Sequence, residues 1–142
     1  MKTLIVEDDF TSRLLLQTLL SPHGECHIAV NGREAVDAFR LAHGGGRSYD
    51  LICMDIMMPE MDGQTALKQI RALEEAAGVL PHAGVKIIMT TAVSDTKAVF
   101  SSYQGLCDGY LFKPLDTGKL VEYLKSFGLV SQVGKGLASP SR

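Results

Sequence analysis

Short apolar runs alternate with helical patterns along this chain. The runs fall at 4–6, 26–30, 51–54, 85–89 and 110–112. Each is too short for a globular helix and rich in strand formers, and their unbroken apolarity predicts strands covered on both faces. Between them apolar residues recur at helical spacing. Leu15, Leu16, Leu19 and Leu20 mark one such face, and Ala35, Ala38, Phe39 and Ala42 a second. Ala66, Ile70, Leu73 and Ala77 mark another, as do Leu120, Leu124 and Phe127. A weaker helical stretch, the fourth in order, is predicted over 94–103, carried by Ala98, Val99 and Tyr103. Polar punctuation sits at the boundaries. Asn31-Gly32 opens the second helix, Asp62-Gly63 the third, Ser94 the fourth, and Asp116 or Thr117 the fifth. Strand-then-helix five times over predicts an α/β fold: a flavodoxin-like, doubly wound parallel sheet in the order 2-1-3-4-5. Its active crevice is expected at the carboxyl ends of the strands, beside the order reversal between strands 1 and 3.

The domain is expected over residues 1–130, with 131–142, a Gly-, Ser- and Pro-bearing stretch without apolar period, as a flexible tail. Met1, just ahead of the first strand, speaks for a chain that starts here rather than an excised piece. Two helix-to-strand connections, 42–49 and 76–84, look long and glycine-bearing, and are expected to be mobile and remote from the site.

Composition narrows the function. The 142 residues are 46% hydrophobic and carry a net charge of −2, against phosphate-driven nucleic-acid binding. No apolar run approaches the roughly 18 residues that cross a bilayer, and the N-terminal apolar stretch is too short for a signal peptide. A cytoplasmic protein is expected, with no direct nucleic-acid or membrane partner. Cys26, Cys53 and Cys107 lack metal spacing and read as small hydrophobes. His23, His27, His43 and His82 are scattered and read as surface or packing residues.

The candidate chemistry lies at the strand ends. Glu7-Asp8-Asp9 follows strand 1 and Asp55 follows strand 3, so in a 2-1-3 order these acids converge. Clustered carboxylates repel and call for a counter-charge, for which a hard divalent cation such as Mg²⁺ suits an open, oxygen-lined rim. Strand 4 ends in Met89-Thr90-Thr91-Ala92 and strand 5 in Lys113-Pro114, adding a hydroxyl and an ammonium to the same edge. Asp55, on the central strand, is the candidate nucleophile.

Four strings occur in order at these ends: V-E-D-D with Arg13 five positions after Asp8, MDIMMPEMDG around Asp55, TTA, and GYLFKPLD. Together they resemble the receiver domain of two-component response regulators, of the single-domain, CheY-like kind, over residues 2–127. The resemblance implies that Asp55 is the phosphoacceptor. It implies that Glu7 and Asp8 hold Mg²⁺ with the main-chain carbonyl of Met57, Asp9 being the less certain acid. Thr91 would be the switch hydroxyl, Lys113 the lysine that pairs with phosphoryl oxygens, and Tyr110 the switch aromatic. Lys113-Pro114 would be cis, and Pro59 and Gly63 would shape the loop after the phosphoacceptor. The donor would be a histidine kinase or a histidine phosphotransfer protein, and the output a contact with a downstream effector protein. That contact would use the fourth helix, fifth strand and fifth helix. Such a domain is not an enzyme in the ordinary sense; it catalyses only its own phosphorylation and slow dephosphorylation. Small Ala92 leaves room for the phosphoryl group, while apolar Met57 and Val93 orient no water and imply slow hydrolysis.

Three rival readings fit less well. A phosphatase with an aspartyl nucleophile would want a D-x-D on strand 1. A flavin or nucleotide module would want a glycine-rich phosphate loop there. A phosphorylation-independent scaffold would not need the full set of matching residues.

Overall fold

The structure is a computed structural model, described here over residues 1–92 and 106–131. Five strands form one sheet: β1 (Lys2–Val6), β2 (Glu25–Ala29), β3 (Leu51–Asp55), β4 (Lys86–Ala92) and β5 (Gly109–Lys113). Their order is β2-β1-β3-β4-β5 and every pairing is parallel, as the alternation predicts. Four helices are described: α1 (Phe10–Leu20), α2 (Gly32–Gly44), α3 (Gly63–Ala76) and α4 (Thr117–Ser126), the last being the fifth predicted helical stretch. The fourth predicted stretch, Val93 and residues 132–142 lie outside the described residues.

The caps are those the sequence announces. Asn31, Asp62 and Asp116 each accept a hydrogen bond from the backbone N–H three residues on, at 2.8, 2.8 and 3.1 Å. Strand alternation then divides the core. Leu4, Val6, Ile52, Met54, Ile87 and Met89 pack under α2 and α3. Ile5, Leu51, Cys53, Ile88 and Leu111 pack under α1 and α4. All five residues of β3 are buried, and so are β1 and β4 apart from Lys2, Lys86 and Ala92 at their ends. The outer strands are not covered on both faces as expected, for Ile28 on β2 and Phe112 on β5 are each 38% exposed. An edge strand has a neighbour on one side only, so the flanking helices shelter less of it.

Two helical faces also differ from expectation. On α1 the buried residues are Leu16 and Leu20, whereas Leu15 is exposed together with Phe10 and Leu14. On α3 the buried stripe ends in Glu74, not Ala77, because the helix stops at Ala76. Glu74 ties α3 to the entry of β4 on either side of the 76–84 connection: Val85 N–H donates to Glu74 Oε2 at 2.7 Å, and Arg71 donates to Glu74 Oε1 at 2.7 Å and to Val85 O at 2.8 Å.

Candidate phosphoacceptor site

Three carboxylates meet where β1 and β3 end. Glu7 and Asp8 follow β1, Asp55 closes β3, and one oxygen of each lies within 4.8 Å of the others. Glu7 is fully buried. Its backbone is held on both sides, N–H donating to Ala29 O at 3.0 Å and O accepting from Arg13 Nη1 at 3.1 Å. Asp55 is 6% exposed. Its Oδ1 accepts from Met57 N–H, and its Oδ2 from Lys113 Nζ, both at 3.3 Å. Lys113 Nζ also lies 2.9 Å from Glu7 Oε1. That contact is an ion pair only: Glu7 Oε1 is buried with no hydrogen bond among the described residues.

The electrostatics follow. Burial pushes the Glu7 carboxyl up to about 7, Lys113 pulls it back, and the Asp55 charge pushes it up again. Burial pulls the Lys113 ammonium down. Its contact with Glu7 and the charge of Asp55 more than offset this, so its pKa ends above the ordinary lysine value. One ammonium thus faces two buried acids and a third, exposed one, Asp8, so the cluster is short of positive charge. A hard cation with oxygen ligands matches that deficit, and Glu7, Asp8 and Asp55 would hold Mg²⁺. The Asp9 carboxylate is not grouped with these three, although its backbone N–H donates to Glu7 Oε2 at 3.2 Å. It caps α1, accepting from Ser12 N–H at 2.9 Å, and that bond holds its carboxyl below the usual range.

The loop after Asp55 is braced at both ends. Ile56 N–H donates to Thr90 O at 3.0 Å, Gly63 N–H to Ile56 O at 2.8 Å, and Gly32 N–H to Met61 O at 2.8 Å. A Cβ on Gly63 would meet Asp55 O at 2.3 Å, and one on Gly32 would meet Met61 O at 2.3 Å, so both glycines are required by close approach. Within the loop Met61 N–H donates back to Pro59 O at 2.7 Å across Glu60, whose φ is +69°. Met57 stands at the rim, 68% exposed.

Thr91 is buried near the end of β4, its Oγ1 donating to Ala92 O at 3.2 Å. Tyr110 packs into the cluster under α2 and α3, beside Cys107; burial first, then Cys107, pushes its phenol up to about 12. Its backbone N–H donates to Tyr123 Oη at 3.1 Å, a link from β5 to α4 that side-chain pattern alone does not reveal. The Lys113-Pro114 bond is cis. Thr90, not singled out from sequence, pairs in register with Asp55 and so lies on its face of the sheet. Only strand register shows this.

Comparison with known proteins agrees with this geometry. Residues 3–125 match the model of the response regulator receiver domain. The chain is 32% identical over 123 residues to chemotaxis protein CheY of Bacillus subtilis, covering 85% of this chain and 92% of that protein. It is 35% identical over 123 residues to hybrid signal transduction histidine kinase M of Dictyostelium discoideum, covering 86% of this chain but 5% of the kinase. Among solved structures it resembles the receiver domain of Ssk1 from Saccharomyces cerevisiae, crystallised with the histidine phosphotransfer protein Ypd1. There the TM-score is 0.75 and the identity 27%, over 94% of both chains. It also resembles the receiver domain of sensor histidine kinase PA1611 from Pseudomonas aeruginosa, which has magnesium coordinated in its active site cleft. There the TM-score is 0.71 and the identity 26%, over 89% of this chain and 97% of that one. With the sheet order, the carboxylate cluster and the family match in agreement, the chain belongs to the response regulator receiver domains of two-component signalling.

Proposed function

We propose that Asp55 accepts a phosphoryl group from a phosphohistidine on a histidine kinase or histidine phosphotransfer protein, and that the domain then acts through a protein contact. The observation that carries this reading is the pairing of buried Asp55 with Lys113, an ammonium it shares with a second buried carboxylate, Glu7. An Asp55 carboxylate oxygen attacks phosphorus in line. The P–N bond to the donor imidazole breaks, and its electron pair stays on nitrogen. Such a transfer needs positioning and positive charge around the equatorial oxygens more than covalent help. Mg²⁺, when bound by Glu7, Asp8, Asp55 and the Met57 carbonyl, supplies part of that charge. Lys113 supplies the rest, and the braced loop fixes Asp55.

The donor protein must cover the rim to bring its histidine to Asp55. Phe10 and Leu14 on α1, 65% and 51% exposed, offer it an apolar landing beside the site, with the Arg13 guanidinium 5.5 Å from the Phe10 ring. The relation to Ssk1, crystallised with a phosphotransfer protein, supports this kind of donor. The stand-alone reading rests on CheY, whose length the chain spans to 92%. No described helix is long and apolar enough to cross a membrane, and the reading places the domain in the cytoplasm.

After transfer, Thr91 turns its hydroxyl to the phosphoryl group and Tyr110 takes up the space. The surface of segment 94–103, β5 and α4 then engages an effector. Tyr110→Ala is expected to leave phosphorylation intact and weaken effector binding; unchanged affinity would remove Tyr110 from the switch. The apolar rim at Met57 supports slow hydrolysis of the acyl phosphate. The central test is intact mass after incubation with acetyl phosphate and Mg²⁺. A Mg²⁺-dependent gain of one phosphoryl group, absent in Asp55→Asn, is expected; a gain that persists in Asp55→Asn would overturn the assignment.

A further inference from the structure

Lys113 sits on β5, yet its ammonium meets Asp55 on β3, and β4 lies between them. The contact therefore reaches across a strand: two strand spacings, about 9.5 Å, are bridged from opposite sides by the lysine stem and the Asp55 side chain. Register shows what it crosses. Asp55 pairs with Thr90, and Lys113 pairs with Ala92. Partners in a parallel pair share a face, and Cys53 and Ile88, one step back along the same face, pack together under α1 and α4. Register thus places Thr90 and Ala92, both small, on the face between Lys113 and Asp55.

Thr90 has a second feature. It is 0% exposed, and its Oγ1 finds no hydrogen-bond partner among the described residues. A buried hydroxyl left unpaired is unfavourable by the cost of its desolvation, so this position is not optimised for the resting fold. On the neighbouring strand, one spacing away, Asp55 Oδ2 holds its hydrogen bond from Lys113.

Resting on the receiver reading, we propose that Thr90 is a positioning residue of the phosphoacceptor site. Its small side chain is the saddle over which Lys113 reaches Asp55, and its hydroxyl is the donor that takes over Asp55 Oδ2 when the ammonium moves to a phosphoryl group. The hydroxyl is unpaired at rest because its bond belongs to the phosphorylated state. Lys113 is free to leave without stranding a buried oxygen.

Three variants separate the parts. Thr90→Val removes the hydroxyl at constant shape, Thr90→Ser keeps it, and Thr90→Leu fills the saddle. The readouts are affinity for beryllofluoride with Mg²⁺, which mimics the phosphoryl group, the thermal midpoint of the free protein, and the Lys113 ammonium signal in ¹⁵N NMR. Thr90→Val is expected to raise the free midpoint by about 3 °C while weakening beryllofluoride roughly three- to ten-fold, the worth of one hydrogen bond. Thr90→Ser should bind as the wild type does. Thr90→Leu should abolish the Lys113 ammonium signal. Undiminished beryllofluoride affinity in Thr90→Val would overturn the donor role, and a retained ammonium signal in Thr90→Leu would overturn the saddle. A wild type that binds no beryllofluoride would overturn the receiver reading and the donor role with it; the Thr90→Leu spectrum would still decide the saddle.

Discussion

Two buried glutamates sit at opposite ends of this sheet and are treated in opposite ways. Glu74, beyond the amino ends of the strands, is 6% exposed, and both its oxygens are engaged, Oε1 by Arg71 and Oε2 by Val85 N–H, each at 2.7 Å. Arg71 then spends its remaining donors on Leu106 O at 2.7 Å, Val85 O at 2.8 Å and Asp108 Oδ2 at 3.0 Å. Asp108 Oδ2 also accepts from Ile87 N–H at 2.9 Å. The cluster is closed, and it ties α3 to the entries of β4 and β5. Glu7, at the carboxyl ends, is more deeply buried, shares one lysine with Asp55, and has for its other oxygen a single 3.2 Å bond from Asp9 N–H. Burial has the same electrostatic cost at both ends. At one end the chain meets it from within, which is how a carboxylate serves structure. At the other the chain meets it only in part, with one cation shared among clustered acids, which is how a carboxylate serves a ligand.

The largest effect should come from opening the closed cluster. Arg71→Ala leaves Glu74 and Asp108 with uncompensated buried or half-buried charge, and should destabilise the fold by about 3 kcal/mol in urea unfolding. Asp55 should still accept a phosphoryl group under conditions where the variant is folded. A loss below about 1 kcal/mol would mean that the two ends are not the contrast described.

Glu7→Gln should act with the opposite sign. Burial pushes the folded Glu7 carboxyl up to about 7 from its ordinary 4.5. A raised carboxyl binds its proton more tightly in the fold. Its stabilising contribution is therefore full below pH 4.5 and lost as pH rises through 7. Without divalent cations the wild type should lose stability across that window. Glu7→Gln should not, and should be the more stable at pH 8 by on the order of 2 kcal/mol. Equal pH dependence in the two proteins would show that Glu7 is not the strained group.

Glu60→Gly is the smallest test. The positive φ of Glu60 is open to glycine without strain, although glycine gains entropy in the unfolded chain. The net change should lie within about 1 kcal/mol of zero, on the stabilising side. A clear destabilisation would show that the Glu60 side chain holds the loop, which the backbone bracing by Gly32 and Gly63 otherwise explains.

Much of this was legible in the sequence because it is carried by pattern. The alternation of apolar runs gave the sheet and its order, and Asn31, Asp62 and Asp116 announced their helices. The strand-end positions of Glu7, Asp8, Asp55 and Lys113 predicted a common edge, where the structure brings them together. What was not legible depends on neighbours in space. Glu74 reads as a solvated helix residue until Arg71 and Val85 are seen around it. Leu15 reads as core until the helix orientation turns Leu16 and Leu20 inward. Asp9 reads as one more acid of the cluster until Ser12 shows it capping α1. Thr90 is indistinguishable from Thr91 in sequence, and only register puts it beside Asp55.

The most direct measurement is calorimetric titration of the wild type, Glu7→Gln and Asp55→Asn with Mg²⁺ near pH 7, in two buffers of different ionisation heat. The shared-lysine account predicts that the wild type binds Mg²⁺ and releases a fraction of a proton, because Glu7 must ionise to serve as a ligand. It predicts that Glu7→Gln releases none and that both variants bind more weakly. Mg²⁺ binding of equal strength and equal proton release in all three proteins would contradict it.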